Sequence, residues 1–198
     1  MMAEEILRKH DLLDRDMRTI LFDYYEMQGK RLRIFEEFNI GRSRADAFMV
    51  SEELTGFEIK SDRDSLERLS GQIKYYNLYC DAVYLVTGVK YADRMQEYLP
   101  DFWGIYCIKQ YKDKHTELVL IREAKPNPEA KLKSQLRLLW RNELIAIIKR
   151  NGLGRVSGLN KQKLVEKLLK ILPFELLHKE ICEELLEREY TLPLDFYG

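Results

Sequence analysis

The stretch "ADAFMVSEELTGFEIKS" (residues 45–61) holds two apolar runs, 45–50 and 57–59, joined by a short polar segment with a glycine. That pattern reads as a β-hairpin. Side chains alternate across a strand, so Glu58 and Lys60 share one face while Phe57 and Ile59 take the other and can enter a core. A turn centred near Glu52 puts Asp46 opposite Glu58, with the two Cβ atoms about 5 Å apart. Two opposed acids repel each other unless a cation lies between them. Magnesium suits such a pair, because it takes hard oxygen ligands, few of them from protein, and keeps several waters. An ion held there can stabilise charge on a phosphoryl oxygen, with Lys60 placed to neutralise developing charge. A further acid on a preceding helix would complete the ligand set, and Glu36 and Glu37 are the candidates.

Outward from the hairpin, "DRDMRTILFDYYEMQG" (14–29) has apolar residues at helical spacing and ends at Gly29. Periodicity leaves the first half of "RLRIFEEFNIGRSR" (31–44) open between a short helix and a strand. "DSLERLSGQIKYYNLYC" (64–80) reads as a helix capped by Asp62 or Asp64. "DAVYLVTG" (81–88) is almost wholly apolar, as a strand buried on both faces is. A helix at 91–100 and two more strands follow. The expected fold is α/β: a mixed central sheet flanked by helices, in αβββαβ order, with a small all-helical C-terminal domain. "KPNPEAK" (125–131) marks the boundary, giving a domain over 1–125 and a helical basic one over 126–198.

The 198 residues have zero formal net charge, but the total hides a strong asymmetry. Residues 131–173 hold 11 Lys/Arg against 2 Asp/Glu, whereas residues 174–198 hold 7 acids against 2 bases. Concentrated charge of this kind says more about partners than the sum does. No apolar window reaches the roughly 18 residues of a membrane span, and the polar start lacks a signal-peptide core. The expectation is a cytoplasmic protein without a membrane partner. Cys80, Cys107 and Cys182 are scattered, as are the three histidines, which argues against a zinc cluster.

An Asp-bearing strand, a strand with Glu-x-Lys and a following helix together resemble the PD-(D/E)xK superfamily of metal-dependent nucleases, whose fold is restriction-endonuclease-like. The similarity is strongest over 42–88 and looks like a bacterial and phage branch. The resemblance implies that Asp46 and Glu58 are metal ligands, that Lys60 is the catalytic lysine, and that Glu37, followed by Phe38, is the helical acid, serving as a third catalytic ligand. Gln72 and Tyr76 match the RecB-type Gln-x-x-x-Tyr element, which lies beside the active site and contacts DNA. Arg44 would hold a phosphate. Ala45 stands where the superfamily name has proline. The implied activity is that of a Mg2+-dependent DNA endonuclease, with Mn2+ as substitute, acting in phage biology, restriction or defence, or DNA repair. A double-strand cutter needs two sites, which would call for a homodimer. The alternative is a non-catalytic nucleic-acid-binding protein on a nuclease scaffold.

The basic block resembles a second motif. "LLWRNELIAIIKRNGLGRVSGLNKQKLVEKLLK" (138–170) is similar to a SAP-type helix-extended-helix DNA-binding motif. Lys149, Arg150, Arg155, Lys161 and Lys163 crowd its two helices and loop. Such residues give salt-dependent, largely sequence-blind phosphate binding. The acidic segment that follows could pack on the basic helices and compete with DNA for that surface.

Overall fold

The computed structural model describes residues 12–189. Its centre is a six-stranded sheet in the order β1-β2-β3-β4-β5-β6. The strands are β1 (Arg33–Ile40), β2 (Ser43–Val50), β3 (Leu54–Lys60), β4 (Ala82–Gly88), β5 (Gly104–Gln110) and β6 (Thr116–Arg122). Helix α1 (Asp14–Glu26) precedes β1, α2 (Leu69–Tyr79) links β3 to β4, and α3 (Ala92–Tyr98) links β4 to β5. The first elements therefore follow the αβββαβ order. β3, β4 and β5 run parallel, and the other three neighbouring pairs are antiparallel. Parallel strands need long crossovers, and α2 and α3 supply them.

Each face of the sheet has its own apolar cluster. Met17 and Leu21 of α1 pack on Ala47, Met49, Phe57, Ile59, Tyr84, Val86, Tyr106 and Ile108. Tyr76 of α2, Met95 of α3 and the C-terminal helices pack on Phe48, Val50, Leu54, Val83, Leu85 and Ile105. Burying each large apolar side chain contributes about 1.5–3 kcal/mol, so the second, larger cluster holds most of the fold together. Close approach of α2 depends on Gly56, where an added Cβ would lie 2.6 Å from Cys80 Sγ and 2.7 Å from the Tyr76 ring.

The segment left open between helix and strand is a strand, β1, because Phe35, Phe38 and Ile40 are drawn into the larger cluster. Phe35 and Phe38 lie three apart yet share one face, which strict alternation forbids. Glu37 absorbs the phase change with a φ of 52°. Ala45 and Phe48 of β2 repeat the same offset. The helix expected from Asp64 starts instead at Leu69, and Asp64 accepts the Ser61 N–H at 2.7 Å.

After β6, α4 (Leu132–Leu136), α5 (Arg141–Arg150), α6 (Lys161–Ile171) and α7 (Phe174–Leu186) follow. The proline-bearing segment before α4 is bonded to the sheet body: Asn127 N donates to Asp81 O at 2.9 Å, its side-chain amide donates to Asn77 O at 2.9 Å, and Lys131 N donates to Leu78 O at 3.1 Å. Leu136, Leu144, Leu164, Leu177 and Leu185 join the same cluster as the sheet residues. Helices thus cover both faces, with the last four gathered on one. Among the described residues no helix is long and apolar enough to cross a membrane. All three cysteines are buried and free.

Candidate functional site

The β2–β3 ladder runs from Val50↔Leu54 to Ala47↔Phe57 and then stops. The register matches a turn centred at Glu52, and the next pair in it is Asp46 with Glu58. These two do not pair through the backbone. Asp46 turns its carboxylate onto the Ile59 N–H, at 2.7 Å. The fully buried Tyr76 donates its hydroxyl to Phe57 O at 2.9 Å and accepts the Asp46 N–H at 3.3 Å. The phenol thus bridges the two strands where they part, and the carboxylates stand in the fork.

Glu58 has no exposed surface, and its Oε2 has no hydrogen-bond partner. Its other oxygen is ion-paired with Lys60 Nζ. Burial holds Glu58 above the ordinary carboxylate range, opposed by Lys60 and by the polar ends of Tyr76 and Gln72, which face it. Asp46 is pushed up to about 7, first by burial and then by the charge of Glu58; the Ile59 N–H offsets part of this. Burial alone would lower Lys60, but Glu58, Asp46 and Asp64 hold it above its usual value. Lys60 is therefore a cation here and cannot act as a base near neutral pH. One ammonium faces two carboxylates, one fully buried and one half-buried, so the cluster is short of positive charge.

That shortage and the unpaired Glu58 oxygen fit a divalent cation held by Asp46 and Glu58. Among the described residues no group of three or more His, Cys, Asp and Glu side chains converges to hold a metal. The fit is thus to an ion that takes few protein ligands and completes its shell with water or substrate, as magnesium does.

Other expected site residues are placed differently. Glu36 and Glu37 lie on β1, not on a helix, because the larger cluster claims the aromatic residues around them. Glu37 is paired with Arg18 at 2.8 Å and with Arg44 Nε, so it does not join the carboxylate pair, and Arg44 is held by it. The helical acid near the fork is Asp14, at the start of α1, whose charge raises Asp46. Asp14 is bound to Arg18 at 2.6 Å, and Arg18 also binds Glu36 at 2.9 Å. In the sequence Asp14 is only the first residue of a helical stretch. Its spacing of four from Arg18 on an apolar-faced helix was the available signal. Tyr76, expected to touch DNA, is wholly buried and braces the fork instead. Gln72 is half-buried, with its Oε1 buried and unpartnered.

α5, the loop 151–160 and α6 form a helix–extended–helix unit, with the Asn160 side chain capping α6 through Lys163 N at 2.9 Å. Lys149, Arg155 and Lys163 are exposed. Arg150 is bound by Glu180 and by Glu184 of α7, so it is already neutralised. The acidic helix therefore packs on the basic one. Lys161 Nζ donates to Arg137 O at 2.8 Å. α7, which holds Arg150 of this unit, is anchored at the other end of the sheet from the fork through the Asp81–His178 pair at 2.7 Å. Along β3 the two ends are about 20 Å apart.

Residues 8–194 match the protein family described as Bacteriophage P4 protein cII. The chain belongs to that family. The family is a phage one, which agrees with the phage side of the expected resemblance, and its description names no nuclease. No curated protein and no solved structure is detectably similar to the chain.

Proposed function

We propose that this member of the phage family is a divalent-metal-dependent DNA endonuclease that hydrolyses phosphodiester bonds, with Mg2+ or Mn2+ at the fork. The observation that carries the reading is the carboxylate pair of the fully buried Glu58 and the half-buried Asp46, with one Glu58 oxygen unpaired and Lys60 beside it. Asp46 and Glu58 would hold the ion, and the charge of Asp14 on α1 also reaches Asp46. The bound ion supplies Lewis-acid stabilisation of charge on the phosphoryl group. The Lys60 ammonium neutralises charge that develops on the phosphorus oxygens as water adds and one P–O ester bond breaks. The departing oxygen takes the proton that the water gives up. Tyr76 and the Ile59 N–H fix the separation and aim of the two carboxylates. Lys149, Arg155 and Lys163 would add salt-dependent affinity.

The test is cleavage of plasmid and single-stranded DNA with Mg2+ or Mn2+, beside Asp46→Ala and Lys60→Ala. Cleavage by the wild type, reduced by roughly a thousandfold or more in both variants, is the expected result. Equal cleavage by all three would mean a contaminant and sink the proposal. A second reading, a non-catalytic DNA-binding protein on this scaffold, draws on the lack of a three-residue metal group among the described residues. It requires DNA binding without metal and no cleavage of any topology.

A further inference from the structure

The sheet topology brings a second feature to the fork's end of the molecule. Lys60 of β3 stands beside Thr87 of β4, and Thr87 beside Cys107 of β5. The β5–β6 hairpin, closed by the Gln110↔Thr116 pair, projects beyond this row. The β1–β2 turn, closed by Ile40↔Ser43, lies at the same end on the far side. The carboxylates thus sit between two hairpin tips.

The β5–β6 tip is built in an unusual way for a surface turn. Tyr111 and His115 stack at 4.1 Å with rings 7° from parallel. Tyr111 N donates to His115 O at 3.0 Å, and Lys114 adopts a φ of 71° to close the turn. Both acids at the tip are engaged within it: Asp113 by His115 at 2.6 Å and Glu117 by the Tyr111 hydroxyl at 2.8 Å. Lys109, Lys112 and Lys114 flank the stack, the last two exposed. Across the fork, Arg42 is exposed at the other tip.

The geometry points to the β5–β6 hairpin tip as a DNA-backbone contact, with the substrate a duplex that straddles the sheet's end between the two tips. The inference rests on reading Asp46, Glu58 and Lys60 as a phosphodiester site. The two turns are separated by four strand spacings, about 19 Å. That centre-to-centre spacing is close to the width of a nucleic-acid duplex, so a duplex lying across the sheet's end reaches both tips, whereas a single strand over the carboxylates reaches only the nearer β1–β2 tip. Sheet twist rotates one tip against the other by roughly 80–100°, so the pair wraps the duplex rather than clamping it flat. The lysines meet phosphates, and the rigid aromatic stack lines the groove edge.

The experiment measures binding of a labelled 20-base-pair duplex, and of the same sequence as a single strand, over a salt series in EDTA. Lys112→Ala/Lys114→Ala is expected to weaken duplex binding roughly tenfold and to lower the salt slope by about two, and Arg42→Ala to lower it by about one. Single-strand binding should change little. Unchanged duplex affinity and slope in the double variant overturns the inference, as does an equal loss for single strand, or no duplex binding by the wild type. Hydrolysis of bis(4-nitrophenyl) phosphate with Mn2+ separates this from the catalytic reading. It requires Asp46 and Lys60 and should be untouched by the hairpin changes. A wild type that fails to hydrolyse it defeats the catalytic reading alone, and the duplex measurements still decide the hairpin.

Discussion

Strand β3 has a carboxylate site at each end, half-buried Asp81 at one and buried Glu58 with Asp46 at the other, and the two are built on opposite terms. At the Leu54 end, Asp81 accepts from three donors: Leu54 N at 2.8 Å, the Gln135 amide at 2.7 Å and His178 Nε2 at 2.7 Å. Its own N–H donates to Leu54 O at 2.7 Å. The carboxylate ties β3, α4 and α7 together. At the Lys60 end, Glu58 is more deeply buried but has one oxygen unpaired, and Asp46 beside it is held near neutral protonation by burial and like charge. A buried carboxylate is costly unless it is fully bonded. The protein supplies every bond at one end and leaves the other end short, which makes the first a structural joint and, on the function proposed above, leaves the second open to a metal ion.

The largest effect that would break or sharpen this contrast is on stability. Asp81→Ala removes an acceptor from three donors at once and should lower the unfolding free energy by about 2–4 kcal/mol. Asp46→Asn keeps an acceptor for Ile59 N and removes the repulsion with Glu58. It should change stability by less than about 1 kcal/mol, or raise it, while abolishing cleavage. Urea denaturation of both variants in EDTA measures this. Equal losses would erase the distinction between the two ends.

Most of the frame was legible in the residues. Turn symmetry about Glu52 gave the register, and the apolar run at 81–88 gave the buried parallel strand. Alternation failed at Glu37 and Asp46 because a left-handed residue shifts the phase of β1, which no periodicity signals. The helical acid was misplaced for the same reason: tertiary burial of Phe35 and Phe38 made a strand of a segment whose pattern was ambiguous. Tyr76 stands beside the two carboxylates, but its burial, and hence its bracing role, appears only when α2 docks over Gly56. Arg150 counted as a free cation until α7 folded back with Glu180 and Glu184.

An intermediate effect separates the two ends by pH and metal. In the metal-free fold Asp46 keeps its proton up to about pH 7, whereas an unfolded chain releases it near 3.8. Between those values the folded state binds more protons, so stability falls as pH rises and is lowest above pH 7. Relative to Asp46→Asn, the wild type in EDTA should lose about 1–2 kcal/mol between pH 5 and pH 8, less than the full shift because solvent reaches Asp46. Saturating Mg2+ should remove this slope and raise the melting temperature more at pH 8 than at pH 5. Melting curves at the two pH values check it. A slope that survives metal would place the ion elsewhere.

The smallest effect belongs to the closed end. The hydrogen bond to Asp81 raises His178 above its ordinary value, against a smaller opposing effect of burial, and the charges of Asp81 and Glu53 add to the rise. A raised histidine stabilises fully below its unfolded value, and that contribution is lost as pH rises through the folded one. His178→Gln keeps a neutral donor toward Asp81, so the difference in unfolding free energy between wild type and variant isolates the charge. It should be greatest below about pH 6.5 and shrink by about 1 kcal/mol or less toward pH 8. Unlike the slope at Asp46, it should not respond to Mg2+, because every acceptor of Asp81 is already engaged by the chain. A difference that is flat in pH would mean that His178 meets Asp81 as a neutral donor. A difference that vanishes with Mg2+ would mean that the two ends of β3 are coupled through the strand, and that binding at the fork is felt at the α7 joint.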